Sequence, residues 1–179
     1  MAAATRHFTV KEFMDLPRPA GGMRQELHHG ELLEMPPVKH GHTKTQRRLG
    51  SALAASLDSR FLADKEIAFQ PLPEHEAWVA DVAVMDVARW ESTPENGYFI
   101  GVPEIVIEVL SPSNTASEML DRERMCLTNG GREFWQVDQD RQTVKITKAD
   151  GHSRSYGIQE TIAMTGFGRP FRVAVLFGV

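Results

Sequence analysis

The sequence predicts one mixed α/β domain, and three segments carry that prediction. Glu104 to Leu110 alternates as a strand, with Ile105, Ile107 and Val109 on one face and Glu104, Val106, Glu108 and Leu110 on the other. Trp78 to Val84 reads as a core strand holding a single charge, Asp81. His40 to Leu57 reads as a helix, because Leu49, Leu53 and Leu57 recur at intervals of four and form a stripe that can pack on a sheet. The 179 residues, 41% of them apolar, suffice for one substantial core. No linker, repeat or low-complexity tract divides them, so residues 1–179 are read as a single domain.

The remaining elements follow in order. Thr9 with Glu12 forms a capping box for a short helix through Leu16, which Pro17 and Pro19 end. Met23 to Met35 reads as a hairpin turning at His29-Gly30, since glycine takes the positive φ of a tight turn. A two-residue loop pairs His28 with Glu31 and puts Glu26 on the same sheet face. Phe61 to Phe69 is a further strand, and Glu95 to Gly101 is a loop. Thr115 with Glu118 caps a helix that runs towards Leu127 and stops at Asn129, Gly130 and Gly131. Phe134 to Val137, Thr143 to Thr147 and Ser153 to Ile158 are short strands, and Phe171 to Phe177 is a final apolar strand or packing segment.

Composition narrows the function. Met1 to Thr5 lacks the character of a signal peptide and no apolar run reaches spanning length, so a cytoplasmic protein without membrane attachment is expected. The single cysteine, Cys126, excludes an internal disulfide and a multi-cysteine zinc site. A net charge of -4 argues against broad adhesion to nucleic acid. It leaves room for a local basic rim, for which Lys39, His40, His42, Lys44, Arg47 and Arg48 at the start of one helix, and Arg122 and Arg124 in another, are available.

Asp81 and Glu108 each put a carboxylate in an apolar strand, where burial is costly without compensation, and the hairpin can add Glu26 and Glu31. A magnesium ion would supply that compensation, being a hard cation that prefers carboxylate oxygens. Pairing with arginines, or a place at a strand end, would account for the same residues.

The segments RQELHHGELLEM at 24 to 35, VADVAVM at 79 to 85, EIVIEVLSPS at 104 to 113 and GGREFWQVD at 130 to 138 resemble, in order and spacing, the Uma-type restriction endonuclease family of the PD-(D/E)XK nuclease superfamily. The resemblance runs from about Phe8 to about Ile146. It implies a restriction-endonuclease-like core, a central mixed sheet flanked by helices, and a magnesium-dependent phosphodiesterase site, with Mn²⁺ as a substitute. Its hairpin acids fall on Glu26 and Glu31, its strand aspartate on Asp81 and its strand glutamate on Glu108. Ala80 replaces the usual proline before the aspartate. Leu110 stands where a basic residue is expected, and the lysine that migrates to the following helix in this family is matched by Arg122.

The resemblance therefore implies that Asp81 and Glu108, with the carbonyl of Val109, hold one Mg²⁺, that Glu26 or Glu31 binds outer waters or a second metal, and that Arg122 offsets charge on a scissile phosphate. Arginine preserves electrostatic assistance but surrenders no proton, so weak activity or none is a real alternative. DNA is the expected substrate and a homodimer the expected assembly. A binding or oligomerisation protein that keeps the fold without cleavage is the second reading, and an unrelated metal hydrolase acting on small phosphoesters the third.

Other residues read more simply. His28 is expected to hydrogen-bond rather than ligate, and His40 and His42 to be polar residues at a helix start without an acidic partner. Arg122 could pair with Glu118 across one turn, and Arg124 faces away from its side of the helix. Trp90, Phe99, Phe134 and Trp135 suit the core better than base stacking. Ser111 and Ser113 suit a turn or cap and lack a nucleophile motif. Cys126 suits packing, and the glycines near 130 lack phosphate-loop spacing.

Overall fold

The computed structural model describes residues 7–112 and 114–179. The readings of Met1 to Thr5 and of the Ser113 hydroxyl lie outside these residues. Helix α1 (Val10–Met14) begins at the Thr9–Glu12 capping box. Strands β1 (Arg24–His28) and β2 (Glu31–Met35) form the hairpin in the predicted register, with His28 opposite Glu31. His29 and Gly30 take φ of 52° and 80°, the positive values that a tight two-residue turn needs. Leu27, fully buried, exchanges backbone hydrogen bonds with Ala77 and packs with Val10 and Phe13, which docks the hairpin and α1 on the main body.

Helix α2 (His40–Ser56) is followed by β3 (Phe61–Gln70) and β4 (Trp78–Asp86), the short helix α3 (Val87–Glu91), β5 (Phe99–Ile100) and β6 (Ile105–Val109). Helix α4 (Ala116–Thr128), opened by the Thr115–Glu118 capping box, leads to β7 (Glu133–Asp138), β8 (Thr143–Lys148) and β9 (Ser153–Gly157). The seven strands run in the order β5-β3-β4-β6-β7-β8-β9. The sheet is mixed: β3 with β5 and β6 with β7 are parallel, and the other neighbours are antiparallel. The α4 crossover supplies the long connection that parallel β6 and β7 require.

Both faces of the sheet are covered. Leu49 and Leu53 of α2 pack on Val82, Val84, Ile105, Ile107 and Val109, so β6 alternates as its sequence predicted. Cys126 of α4 lies on the opposite face with Phe69, Trp78, Met85, Val106 and Phe134. Phe99, Phe134 and Trp135 are buried, which gives them a packing role.

Two local expectations need correction, and one helix was not foreseen. The 95–101 loop contains β5, and Asp86 caps the unpredicted α3 by accepting from the Ala88 amide. The C-terminal segment is not one strand: Phe171–Arg172 is β11, paired with β10 (Thr161–Ile162), and Ala174–Phe177 is the short helix α5. Val173 and Leu176 are both buried, and residues three apart share a face in a helical turn but oppose one another in a strand.

Candidate active site

The β4–β6 ladder pairs Val84 with Ile105, Ala83 with Val106 and Val82 with Ile107. One step further, the same register sets Asp81 opposite Glu108, where the ladder ends. The Val109 amide donates to Asp81 Oδ2 at 2.8 Å, so the carboxylate takes the bond that a strand partner would otherwise receive. Asp81 Oδ1 accepts from His42 Nε2 at 2.8 Å and from Gln46 Nε2 at 3.0 Å. His42 thus has the acidic partner that its sequence neighbourhood concealed.

Gln46 also donates to Glu66 Oε1, and Glu66 pairs with Arg24. Glu66 adopts a φ of 55° inside β3, between Lys65, paired with Val82, and Ile67, paired with Ala80. A non-glycine residue in the left-handed region within a strand stores strain, which the contacts to Gln46 and Arg24 offset.

On the α4 side, Arg122 lies in the inward stripe between Met119 and Cys126 and is 5% exposed. Its Nε and Nη2 donate to Glu108 Oε1 at 3.2 and 2.8 Å, Nη1 to Glu26 Oε2 at 2.8 Å, and Nη2 also to the Val79 carbonyl at 2.9 Å. The guanidinium carbon stands 5.0 Å from the Trp78 ring centroid. His28 stacks on Trp78 with centroids 4.4 Å apart and donates from Nε2 to Glu26 Oε2 at 2.6 Å. Arg122 therefore pairs across the fold with Glu26 and Glu108 rather than with Glu118, whose carboxylate caps its own helix through the Thr115 amide.

The three charges at this junction are unequal. Burial pushes the Glu108 carboxyl up to about 8, with Asp81 and Glu26 adding to the effect and Arg122 opposing it. Burial also works against ionisation of Glu26, but Arg122 and His28 outweigh it and hold that carboxyl at about 2. The Arg122 guanidinium loses hydration, yet the two glutamates raise its pKa above the ordinary value. Glu31 is exposed and its side chain makes no hydrogen bond or ion pair with the described residues, so the hairpin brings Glu26 and His28 to the junction and leaves Glu31 outside it.

Residues 10–169 match the Uma2 family, described as "Putative restriction endonuclease". The chain belongs to this family. The fold of this Uma2 chain is similar to that of a crystal structure of a "putative nuclease belonging to DUF820" from Anabaena variabilis ATCC 29413. That likeness has a TM-score of 0.79 at 22% identity and covers 95% of this chain and 97% of the other. The fold is accordingly restriction-endonuclease-like. No curated protein matches the chain. No helix among the described residues is long and apolar enough to cross a membrane.

A divalent cation is the group that the sequence resemblance implies, and the donors suit one in kind. Asp81, Glu108 and Glu26 offer hard oxygens, and the raised Glu108 pKa marks a place where added positive charge would stabilise the ionised acid. Their present engagements differ from a metal shell. Asp81 is held by His42, Gln46 and the Val109 amide, while Glu26 and Glu108 both turn to Arg122. Among the described residues, no three His, Cys, Asp or Glu side chains converge as a set that could hold a metal ion. The donors match a divalent cation in kind without converging as a metal shell, and the cation that Glu26 and Glu108 hold is the Arg122 guanidinium.

Sequence reading missed His42, Gln46 and Glu66. The first two carried a signal: counting back along α2 from Leu53 and Leu49 at helical spacing reaches Gln46 and then His42, so the inward stripe turns polar where it meets Asp81. Glu66 carried none, because its backbone departure has no marker such as glycine.

Proposed function

We propose that this Uma2 chain is a magnesium-dependent DNA endonuclease of the PD-(D/E)XK kind, hydrolysing phosphodiester bonds at a site centred on Asp81 and Glu108. The observation that carries the reading is the bond from the Val109 amide to Asp81 Oδ2, which ties Asp81 to the strand of Glu108 one step beyond the last β4–β6 pair, with Glu108 raised to about 8 chiefly by burial. Asp81 and Glu108 would hold the ion, Val109 would add its carbonyl, and Glu26 would receive outer waters. A bound magnesium ion lowers the pKa of its water and polarises a phosphate oxygen.

The chain's own residues set the geometry. His42 and Gln46 fix the orientation of the Asp81 carboxylate, and its bond to the Val109 amide ties that carboxylate to the strand carrying Glu108. Trp78 supports His28 and Arg122 from one side. Cytoplasmic location and homodimer formation belong to the same proposal; sedimentation would test the second.

The test is cleavage of supercoiled plasmid with Mg²⁺ or Mn²⁺ and with EDTA. Metal-dependent nicking or linearisation is expected, falling by about a hundredfold or more in Asp81→Asn, in line with the loss of a group that positions charge in the transition state. Near-UV circular dichroism should be unchanged in that variant. Cleavage that persists in Asp81→Asn or in EDTA would refute the site.

One observation favours a second reading, a DNA-binding protein without cleavage: Arg122 already engages Glu26 and Glu108 through its hydrogen bonds. That reading predicts no cleavage by either protein and equal DNA affinity for both.

A further inference from the structure

Residues 36–57 include no Asp or Glu, in a chain whose 24 acids outnumber its 20 Lys and Arg. Most of this segment is α2, and the helix has two opposed faces. His42 and Gln46 point inward to Asp81, and Leu49 and Leu53 to the sheet. His40, Lys44, Arg47 and Ser51 recur at the same helical spacing on the other side and are exposed, with exposed Lys39 just before them. Arg48 is committed elsewhere, its Nη1 donating to the Phe177 carbonyl at 2.7 Å. The side chains of Lys39, Lys44 and Arg47 form no ion pair or hydrogen bond with the described residues. By contrast Arg60, Lys148 and Arg154, exposed as well, pair with Asp86, Glu133 and Glu160.

The fold does not account for these free charges. Acids rather than bases suit the start of a helix, and Lys44 and Arg47, three positions apart, repel one another. What the face lacks is an external anion. Phosphates suit it better than bases or lipid: the segment has no Phe, Tyr or Trp on which a base could stack, and the apolar stripe of α2 is already buried on the sheet and cannot enter a bilayer. From Lys39 to Arg47 the helix advances about 12 Å, over which one strand of a duplex presents about three or four phosphates.

We propose that the exposed face of α2, through Lys39, Lys44 and Arg47, is the duplex-DNA docking surface of this chain, gripping phosphates without reading bases. The inference deepens the nuclease reading and rests on DNA as its substrate, but it needs neither bound metal nor cleavage. His42 places the surface: the helix that carries these cations also bonds Asp81, so a duplex held at the start of α2 lies beside the end of the sheet that carries that acid.

The test is fluorescence anisotropy of a labelled duplex of about 20 base pairs, in EDTA and between about 50 and 200 mM salt. Replacing Lys39, Lys44 and Arg47 together by Gln should weaken binding at least about tenfold at the lowest salt. It should also flatten the slope of log affinity against log salt by about one per residue, as should each single replacement in turn. A control that replaces Arg60, Lys148 and Arg154 by Gln removes the same charge from other parts of the surface and should stay within about threefold of the unaltered protein. Equal affinity and slope in the triple variant and the unaltered protein would overturn the inference, as would an equal loss in the control, tighter binding of the single strand than of the duplex, or no duplex binding at all, with or without binding to phosphatidylserine vesicles. Plasmid cleavage separates the two readings. Asp81-dependent cleavage with affinity unmoved by the triple replacement would sink the docking surface alone, whereas affinity lost in the triple variant with no cleavage by any form would sink the nuclease alone.

Discussion

Glu108→Gln is the substitution whose consequence can be worked furthest. Glu108 ionises near 4.5 in the unfolded chain and near 8 in the folded protein, chiefly because burial strips water from the charged form. Between those values the native state holds a proton that the unfolded state has released. The stabilisation linked to that proton is complete below pH 4.5 and is lost as pH rises towards 8. Each unit of that interval corresponds to about 1.4 kcal/mol, so raising the pH from 4.5 to 7 removes about 3 kcal/mol from the stability of the unaltered protein through this group alone.

The amide introduced by Glu108→Gln has no proton to lose, and its volume is nearly that of the carboxyl it replaces. Any change in its bond to Arg122 adds a constant offset, whereas the slope against pH reports the ionisation. Urea denaturation in EDTA at half-unit steps from about pH 4.5 to 7.5, followed by tryptophan fluorescence, would give unfolding free energies for both proteins. The difference between them should move in favour of Glu108→Gln by about 2 to 3 kcal/mol across the window. Parallel curves would refute the argument, because they would mean that Glu108 ionises alike in the folded and unfolded states. Glu26 acts in the opposite sense and in a separate window: held at about 2, it contributes stability above pH 4.5 that is lost as pH falls towards 2.

His42→Ala removes one of the two side-chain donors to Asp81 Oδ1, and a loss of about 1 to 3 kcal/mol is expected in the same urea assay, with a loss of plasmid cleavage larger than the fraction unfolded can explain. Leu53→Ala opens a cavity between α2 and the sheet and should cost about 2 to 5 kcal/mol while leaving the specific activity of the folded fraction unchanged; a cost below about 1 kcal/mol would mean that this helix face is loosely packed.

Local rules carried the sequence reading a long way. Capping boxes at Thr9 and Thr115, the turn at His29-Gly30 and the alternation of β6 each depend on residues close together in the chain, and each is present as predicted. Asp81 and Glu108 were legible as anomalies, charges inside apolar runs, and continuing the β4–β6 register one step past its last pair, Val82 with Ile107, sets their positions opposite one another. The partners of those charges were not legible. Arg122 reaches Glu26 across 96 positions of sequence and His42 reaches Asp81 across 39, and no local pattern encodes such pairings. The polar residues in the inward stripes of α2 and α4 were the available sign: a helix that presents His42 and Gln46, or Arg122, on its buried face must meet a polar partner there. At the C-terminus the spacing of Val173 and Leu176 pointed to a helical turn, but short apolar runs suit strand and helix alike.

The arginine at position 122 also explains why the hairpin belongs to the site. A lysine offers three donors from one nitrogen, whereas the planar guanidinium spreads five over three nitrogens and reaches Glu108 on β6, Glu26 on β1 and the Val79 carbonyl on β4 together. Trp78 reinforces the junction: its indole Nε1 donates to Glu76, its ring stacks with His28 of the hairpin, and it lies against the Arg122 guanidinium. Hairpin, sheet and α4 therefore share a single polar junction, and the Leu27–Ala77 bridge holds the hairpin at the depth where Glu26 can reach it. Glu26 and Glu108 are held in place by the pairing of β1 with β2 and of β6 with β7, which does not depend on Arg122.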